Sequence, residues 1–186
     1  SQRGQLTLAH TDATVRAFRQ RAEVNKHFGG RTELIDRQAV GELVPSLNLD
    51  PAGLPILAGL WHLDGATARH DAVAWGYAKG ATQRGVELHQ LTEVTGVDIE
   101  AGRVTGVQTN RGKVSCGCVV QAVSGLSADV SKMAGFPLPI VAYPLQAMVT
   151  QPVKPFLDPH VSSSALHCYV HQTSRGEIVI GGGSDP

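Results

Sequence analysis

The sequence has no excess charge of either sign, since its 186 residues include 16 basic and 16 acidic side chains. A nucleic-acid or anionic-membrane partner would require clustered Lys and Arg, so we expect neither. Three cysteines are too few for a disulfide framework, which favours a reducing, cytoplasmic location. No apolar run approaches the roughly 20 residues of a membrane-spanning helix. Hydrophobic residues nevertheless make up 42% of the chain, enough for the core of a globular protein.

A glycine-rich phosphate-binding turn is also missing. No G-x-G-x-x-G follows a predicted strand, so the turn that would bind the pyrophosphate of a dinucleotide is absent. The chain starts at Ser1 without a methionine and stops shortly after the glycine run 181–183. We therefore expect an internal fragment that does not bind a dinucleotide tightly. Apolar surface left exposed by the missing part is expected to make this fragment self-associate.

Hydrophobic patterns predict a mixture of helices and strands. A strand at residues 5–8 precedes a helix that begins at Asp12, and Asp36 is suited to cap a second helix. Residues 70–84 form the clearest helical pattern. Further strands are predicted at residues 56–61, 119–123, 141–150, 161–172 and 177–180. This order predicts a mixed α/β (α+β) fold, with helices on a mixed sheet and a second, antiparallel sheet.

The segment LHCYVHQ has the alternation of a strand with two different faces. Period-two spacing puts His167, Tyr169 and His171 on one face and apolar side chains on the other. The polar and aromatic face is a candidate site, with Tyr169 at its centre. For each histidine, the solvated face of an antiparallel strand is an equally good interpretation.

Three stretches of the sequence carry a family resemblance: AGLWHLDGATARHDAVAWGYAKGATQRGVELHQLTEVTGV, GRVTGVQTNRGKVSCGCVVQAVSG and LPIVAYPLQAMVTQPVKPFLDPHV. Together they resemble the beta subunits of heterotetrameric sarcosine oxidases, within the D-amino-acid oxidase-like FAD-dependent oxidoreductases. Most of the pattern is general to the wider family, whereas Arg69-His70 before Asp71 is specific to that subunit. The resemblance implies a middle portion of a two-domain fold, with the N-terminal dinucleotide-binding unit missing. It places residues 1–62 and 136–186 in the substrate (cap) domain and 63–135 in the FAD-binding domain.

The resemblance also implies positions for the cofactors. In that family the histidine at the position of His70 carries a covalent FMN, and a separate, noncovalent FAD oxidises the amine. A helix N-terminus disfavours the imidazolium form of His70, and the guanidinium of Arg69 is suited to a flavin phosphate or a reduced flavin ring. An ordinary surface or cap histidine is the competing interpretation. The residues that resemble positions along the FAD dinucleotide are Val94, Ala122, Ser124 and Gly125.

Related amine oxidases present a tyrosine to the substrate pocket, so the resemblance implies that role for Tyr169, with His167 and His171 as catalytic neighbours. The implied reaction of the intact enzyme is oxidation of sarcosine to glycine, with FAD as hydride acceptor and FMN passing electrons to oxygen. The implied partners are the alpha, gamma and delta subunits. The fragment alone is expected to hold no flavin and to be inactive.

Two other functions stay open at this point. The first is a fragment of a single-flavin amino-acid or amine dehydrogenase. The second is a non-catalytic metal-binding or interaction module. Its candidate ligands would be Cys116, Cys118, Cys168, His167 and His171. Because Cys-x-Cys lacks the spaced second pair of a zinc site, we expect no metal.

Overall fold

A computed structural model describes residues 2–184; residues 1, 185 and 186, which the predicted domain ranges include, lie outside the described part. The elements in chain order are β1 (Gln5–Ala9), α1 (Asp12–His27), β2 (Thr32–Asp36), α2 (Arg37–Leu43), β3 (Ala58–His62), α3 (His70–Thr82), β4 (Val94–Glu100), β5 (Arg103–Thr109), β6 (Gly112–Ser115), a 3-10 turn (Ser124–Leu126), α4 (Ser127–Met133), β7 (Leu145–Val149), β8 (His160–Ser163), β9 (Cys168–Gln172) and β10 (Ile178–Ser184).

The chain folds as two compact units. Of the described residues, 2–69 and 145–184 form the first unit, and 70–144 form the second. The first unit is built on a seven-stranded sheet with the order β2-β3-β1-β8-β9-β10-β7. Strands β1 and β8 run parallel, and the other neighbours run antiparallel. The sheet therefore joins the two distant segments of the first unit through the β1–β8 pair.

Helix α1 forms where the sequence predicts it. Thr11 caps its N-terminus, accepting a hydrogen bond at Oγ1 from the Thr14 amide at 3.1 Å. Its buried side chains, Phe18 and Ala22, pack in an apolar cluster with residues of β1 and β3. The helix therefore covers one face of the sheet.

The other face of the sheet carries a larger apolar core. Its buried members are Leu6, Leu8, Val40, Val44, Ile56, Leu157 and Val161. Helix α2 contributes Val40, and it begins after Asp36, whose carboxylate accepts from the Ala39 amide at 2.9 Å. The predicted Asp36 cap is thus confirmed.

The second unit holds α3, the antiparallel sheet β4-β5-β6 and α4. Within the described residues, α3 buries none of its side chains. In the sheet, the Lys113 ammonium lies 2.9 Å from the Asp98 carboxylate, and Gln108 donates to the same carboxylate at 2.8 Å. The hydrogen bond from Lys113, and to a smaller extent that from Gln108, lowers the pKa of Asp98.

The predicted mixed α/β fold is confirmed, whereas two predicted strands are wrong. Residues 119–123 pair with no other described strand. A β-branched run becomes a strand only where a neighbour supplies hydrogen-bond partners. Residues 161–172 form two strands, not one, because a turn at 164–167 separates β8 from β9. Ser163 supports that turn, accepting at Oγ from the Leu166 amide at 3.3 Å.

Candidate active site

Three ring side chains stand together on one face of the larger sheet. The register pairs Val161 of β8 with Val170 of β9, and both belong to the apolar core on the other face. Because side chains alternate along a strand, His160, Tyr169 and His171 project from the opposite face. All three are half-buried.

The three rings form a stacked cluster. The His160 and Tyr169 centroids lie 5.3 Å apart with planes at 23°, and His160 and His171 lie 5.6 Å apart at 28°. Tyr169 and His171 are 6.3 Å apart at 18°. These separations and nearly parallel planes are those of offset-stacked aromatic pairs. His160 is therefore the ring that lies nearest to both others.

Burial keeps both imidazoles of the cluster neutral near pH 7. Burial lowers the pKa of His160 from the ordinary 6.5, and repulsion from the protonated form of His171 lowers this pKa further. Burial also lowers the pKa of His171. The Nδ1 atom of His171 is enclosed and has no hydrogen-bond partner among the described residues. Buried polar atoms are nearly always hydrogen-bonded, so this unpartnered nitrogen marks the imidazole of His171 as a functional candidate.

Glycine at position 181 sets how closely Tyr169 lies on the sheet. Gly181 of β10 pairs with Tyr169 and is buried. A Cβ atom added to Gly181 would lie 2.4 Å from both Cζ and Oη of Tyr169. The phenol ring therefore rests on bare backbone, which only glycine provides here.

The strands that carry the rings are anchored from the core face. His10 is buried, and its Nδ1 lies 3.2 Å from the carbonyl oxygens of both Leu54 and Pro55. Since a carbonyl only accepts, Nδ1 of His10 carries the hydrogen. Its Nε2 lies 2.9 Å from Oγ of Ser163, the last residue of β8. This chain of hydrogen bonds fixes the end of β8.

Gln172 anchors the end of β9 in the same way. Its Oε1 accepts from the amides of Phe156 at 2.8 Å and Leu157 at 3.1 Å. Its Nε2 donates to the carbonyls of Lys154 and Gly176, both at 3.1 Å. A buried amide with four such bonds holds its backbone firmly, and the preceding residue is His171.

The predicted alternation is wrong at His167. That residue ends the turn before β9, has φ of 48° and is exposed. Its carbonyl accepts from the Gly183 amide at 2.9 Å. The positive φ breaks the strand period, so the structure brings Tyr169 and His171 together and leaves His167 outside the ring cluster. Whether His167 acts in catalysis stays a prediction.

The predicted cofactor residues lie apart from this cluster in the sequence. His70 is the exposed first residue of α3, and Arg69 directly precedes it. The place of His70 at the start of a 13-residue helix fits a flavin there, because the unpaired amides of a helix N-terminus bind anionic groups.

The remaining predicted cofactor residues belong to the second unit. Val94 begins β4, and Ala122 precedes the 3-10 turn in which Ser124 and Gly125 lie. Ser124 has φ of 48°, and its carbonyl accepts from the Ser127 hydroxyl at 2.6 Å. A Cβ on Gly125 would meet Ala142 at 3.3 Å. Their proposed contacts with FAD stay predictions.

Sequence reasoning missed His160. The signal was weak, because two polar residues, His160 and Ser162, alternate over only four strand residues. Their significance depends on the pairing of β8 with β9, which a single sequence does not supply.

The cluster is suited to a small amine. The Tyr169 hydroxyl can accept a hydrogen bond from an ammonium group, and a neutral imidazole accepts a hydrogen bond or a proton. Among residues 2–184 no group of three or more His, Cys, Asp or Glu side chains could hold a metal ion. Of the helices in the described part, none is long and apolar enough to cross a membrane.

Comparison with known proteins confirms the predicted resemblance. The chain is 46% identical over 185 residues to sarcosine oxidase subunit beta of Rhizobium meliloti, and 40% identical over 186 residues to that of an Arthrobacter species. Each match covers 100% of this chain but only 44% and 46% of the relative, so the chain spans about half the length of these relatives.

Solved structures agree on the fold. L-proline dehydrogenase from P. horikoshii superposes with a TM-score of 0.82 at 30% identity, over 98% of this chain and 49% of that one. Glycine oxidase from Geobacillus kaustophilus has a TM-score of 0.82 at 18% identity, over 100% of this chain and 48% of that one, and shows the fold alone. The profile of the family described as FAD dependent oxidoreductase matches residues 1–186. The chain therefore belongs to the FAD-dependent oxidoreductase family.

Proposed function

We propose that the full-length protein is a sarcosine oxidase that converts sarcosine or a similar secondary amine to an imine, and then to glycine and the aldehyde by hydrolysis. The observation that carries this proposal is 40% to 46% identity, over the whole chain, to proteins named sarcosine oxidase subunit beta. The family supports FAD as the electron acceptor. The ring cluster of the first unit supports an amine as the ligand.

Tyr169 and His171 would bind the amine. A secondary amine is protonated in water, whereas its oxidation requires the neutral nitrogen. The phenol oxygen of Tyr169 can accept a hydrogen bond from the cationic form, and the neutral imidazole of His171 can take up its proton. The half-buried ring of His171, stacked beside Tyr169 and with an unpartnered Nδ1, supports this role. His167, in the turn before β9, stays a candidate third residue for binding the amine.

Two flavins would be held by separate parts of the chain. His70, with Arg69 beside it, would carry FMN covalently, and Val94, Ala122, Ser124 and Gly125 would lie along FAD. The chemistry supplied by the bound flavins is acceptance of a hydride equivalent by FAD and passage of electrons through FMN to oxygen. The position of His70 at the N-terminus of α3, directly after Arg69, supports the first assignment. Residues 1–62 and 136–186 would belong to the substrate domain, and 63–135 to the FAD-binding domain.

The subunit name of the relatives supports an assembly, and we propose alpha, gamma and delta subunits as partners in the cytoplasm. A second candidate function is a single-flavin dehydrogenase for secondary amino acids. The likeness to L-proline dehydrogenase, at 30% identity, favours that alternative over a binding module.

The decisive experiment uses the full-length protein produced with its partner subunits. Under anaerobic conditions, sarcosine is expected to bleach the flavin absorbance faster than L-proline or glycine does. Acid precipitation and mass spectrometry are expected to show one covalent flavin, which His70→Ala removes and His89→Ala, at an exposed histidine, retains. Acid-stable flavin in the His70→Ala protein would disprove that attachment site. Wild-type protein without covalent flavin that prefers L-proline would favour the dehydrogenase.

A further inference from the structure

His160 touches both residues that we assign to the amine. Its ring centroid lies 5.3 Å from that of Tyr169 and 5.6 Å from that of His171. No other described ring stacks on either residue besides their mutual contact at 6.3 Å. A change in the position of His160 would therefore alter the ring contacts of both Tyr169 and His171.

The Tyr169 ring is confined by two contacts. Gly181 lies so close that even a Cβ atom would not fit, at 2.4 Å from Cζ and Oη. The stacked imidazole of His160 provides the second contact. With the backbone of β10 on one side and His160 on another, the orientation of the phenol follows from its neighbours.

His160 itself lies on a strand that cannot shift easily. It begins β8, which is paired on one side with β1, at Gln5, and on the other with β9. Ser162, two residues further on the same face, donates to Oγ1 of Thr7 at 3.1 Å. Strand pairing on both sides gives His160 the rigidity that a supporting residue needs.

We propose that His160 is a positioning residue of the amine site, whose ring stacks against Tyr169 and His171 and holds both in the orientation that amine oxidation requires. The inference rests on the proposed function. It requires the ring and not the nitrogen atoms of His160, since stacking depends on the aromatic face. Because burial keeps the imidazole uncharged at pH 7, a phenylalanine ring is an adequate replacement.

The test compares two uncharged substitutions in the full-length flavoprotein, His160→Phe, which keeps a ring, and His160→Leu, which fills space without one. The measurements are the limiting rate of anaerobic flavin reduction by sarcosine, the substrate Kd, the flavin content and the melting temperature. His160→Leu is expected to lower the limiting rate roughly 3- to 10-fold. A factor of that size corresponds to the free energy that one aromatic pair contributes. His160→Phe is expected to stay within about 2-fold of wild type, as is His27→Ala at an exposed histidine outside the cluster.

Several outcomes would overturn the proposal. Equal rates for His160→Leu and wild type would show that the stack does not matter. Equal losses in both His160 variants would assign the effect to the imidazole nitrogens or to general destabilisation. If His160→Leu does not fold, His160→Phe decides. If sarcosine reduces the flavin of His160→Phe more than 10-fold slower than that of wild type, the positioning role of the ring is rejected. Wild-type protein that no secondary amine reduces would instead refute the proposed function.

Discussion

Adding a single methyl group at Gly181 should disturb the site without disturbing the fold. The Cβ of Gly181→Ala would lie 2.4 Å from Cζ and Oη of Tyr169, and 2.8 Å from Cε1. Carbon atoms in contact are ordinarily about 3.5 Å apart or more, so the ring must retreat by roughly 1 Å. The backbone at Gly181 is not left-handed, so alanine adopts it without strain. The clash is with the far end of a side chain, which can move.

The size of the effect follows from that displacement. A misplacement of about 1 Å in an active site costs up to roughly 100-fold in rate. Overpacking of a close contact costs about 1 to 3 kcal/mol of stability, which a folded domain generally survives. We therefore expect Gly181→Ala to keep its fold and flavin, and to be reduced by sarcosine between about 10- and 100-fold more slowly than wild type.

Anaerobic stopped-flow reduction of the full-length protein, with thermal denaturation in parallel, measures both quantities. Gly117→Ala is the matched control, because a Cβ there meets nothing within 4 Å and the residue is exposed. If Gly181→Ala and Gly117→Ala reduce at the same rate, Tyr169 does not lie at the reacting amine. The reasoning about the ring cluster would then be wrong.

Three further predictions concern stability and cofactor binding. The folded-state pKa values of His160 and His171 lie below 6.5, so the unfolded chain binds more protons in acid. Stability should be full above pH 6.5 and should fall as the pH drops through the folded-state pKa values. Thermal denaturation between pH 5 and 8 measures this fall. His10→Leu should cost about 1 to 3 kcal/mol in urea unfolding, because it removes the imidazole partner of the Ser163 hydroxyl and of two carbonyls; an unchanged midpoint would contradict the anchoring role. The isolated 186-residue chain should show no flavin absorbance and should sediment as an oligomer, and a yellow monomer would oppose both expectations.

Local signals in the sequence were sufficient for the helices. Asp12 begins α1, as predicted from the helical pattern that starts there, and Asp36 caps α2, as predicted from a side chain that bonds the first amides of a helix. The helix predicted over 70–84 occurs as α3 at His70–Thr82. Capping and helical periodicity operate within a few residues, so they can be seen before any tertiary structure is known.

Features that depend on distant residues could not be predicted. The stacking partner of Tyr169 is His160, which belongs to another strand, and the close approach of Gly181 comes from a third. The turn at 164–167 contains no glycine or proline, so it escaped the usual turn signals, and with it the alternation at His167 was lost. The serine run 162–164 was the signal that could have indicated it, and Ser163 supports the turn through its hydroxyl.

Strands β8 and β9 use their two faces for different purposes, and this division couples the site to the core. On the core face, Ser163 bonds to buried His10 and Gln172 binds four backbone groups. On the other face stand the rings, and Gln172 directly follows His171. Neighbouring residues of a strand share one backbone. A substitution that removes the hydrogen bonds of the Gln172 side chain should therefore also loosen the backbone of His171, although Gln172 faces away from the cluster. Loss of amine oxidation in such a variant would therefore report on the positioning of the rings and not on a contact with the amine.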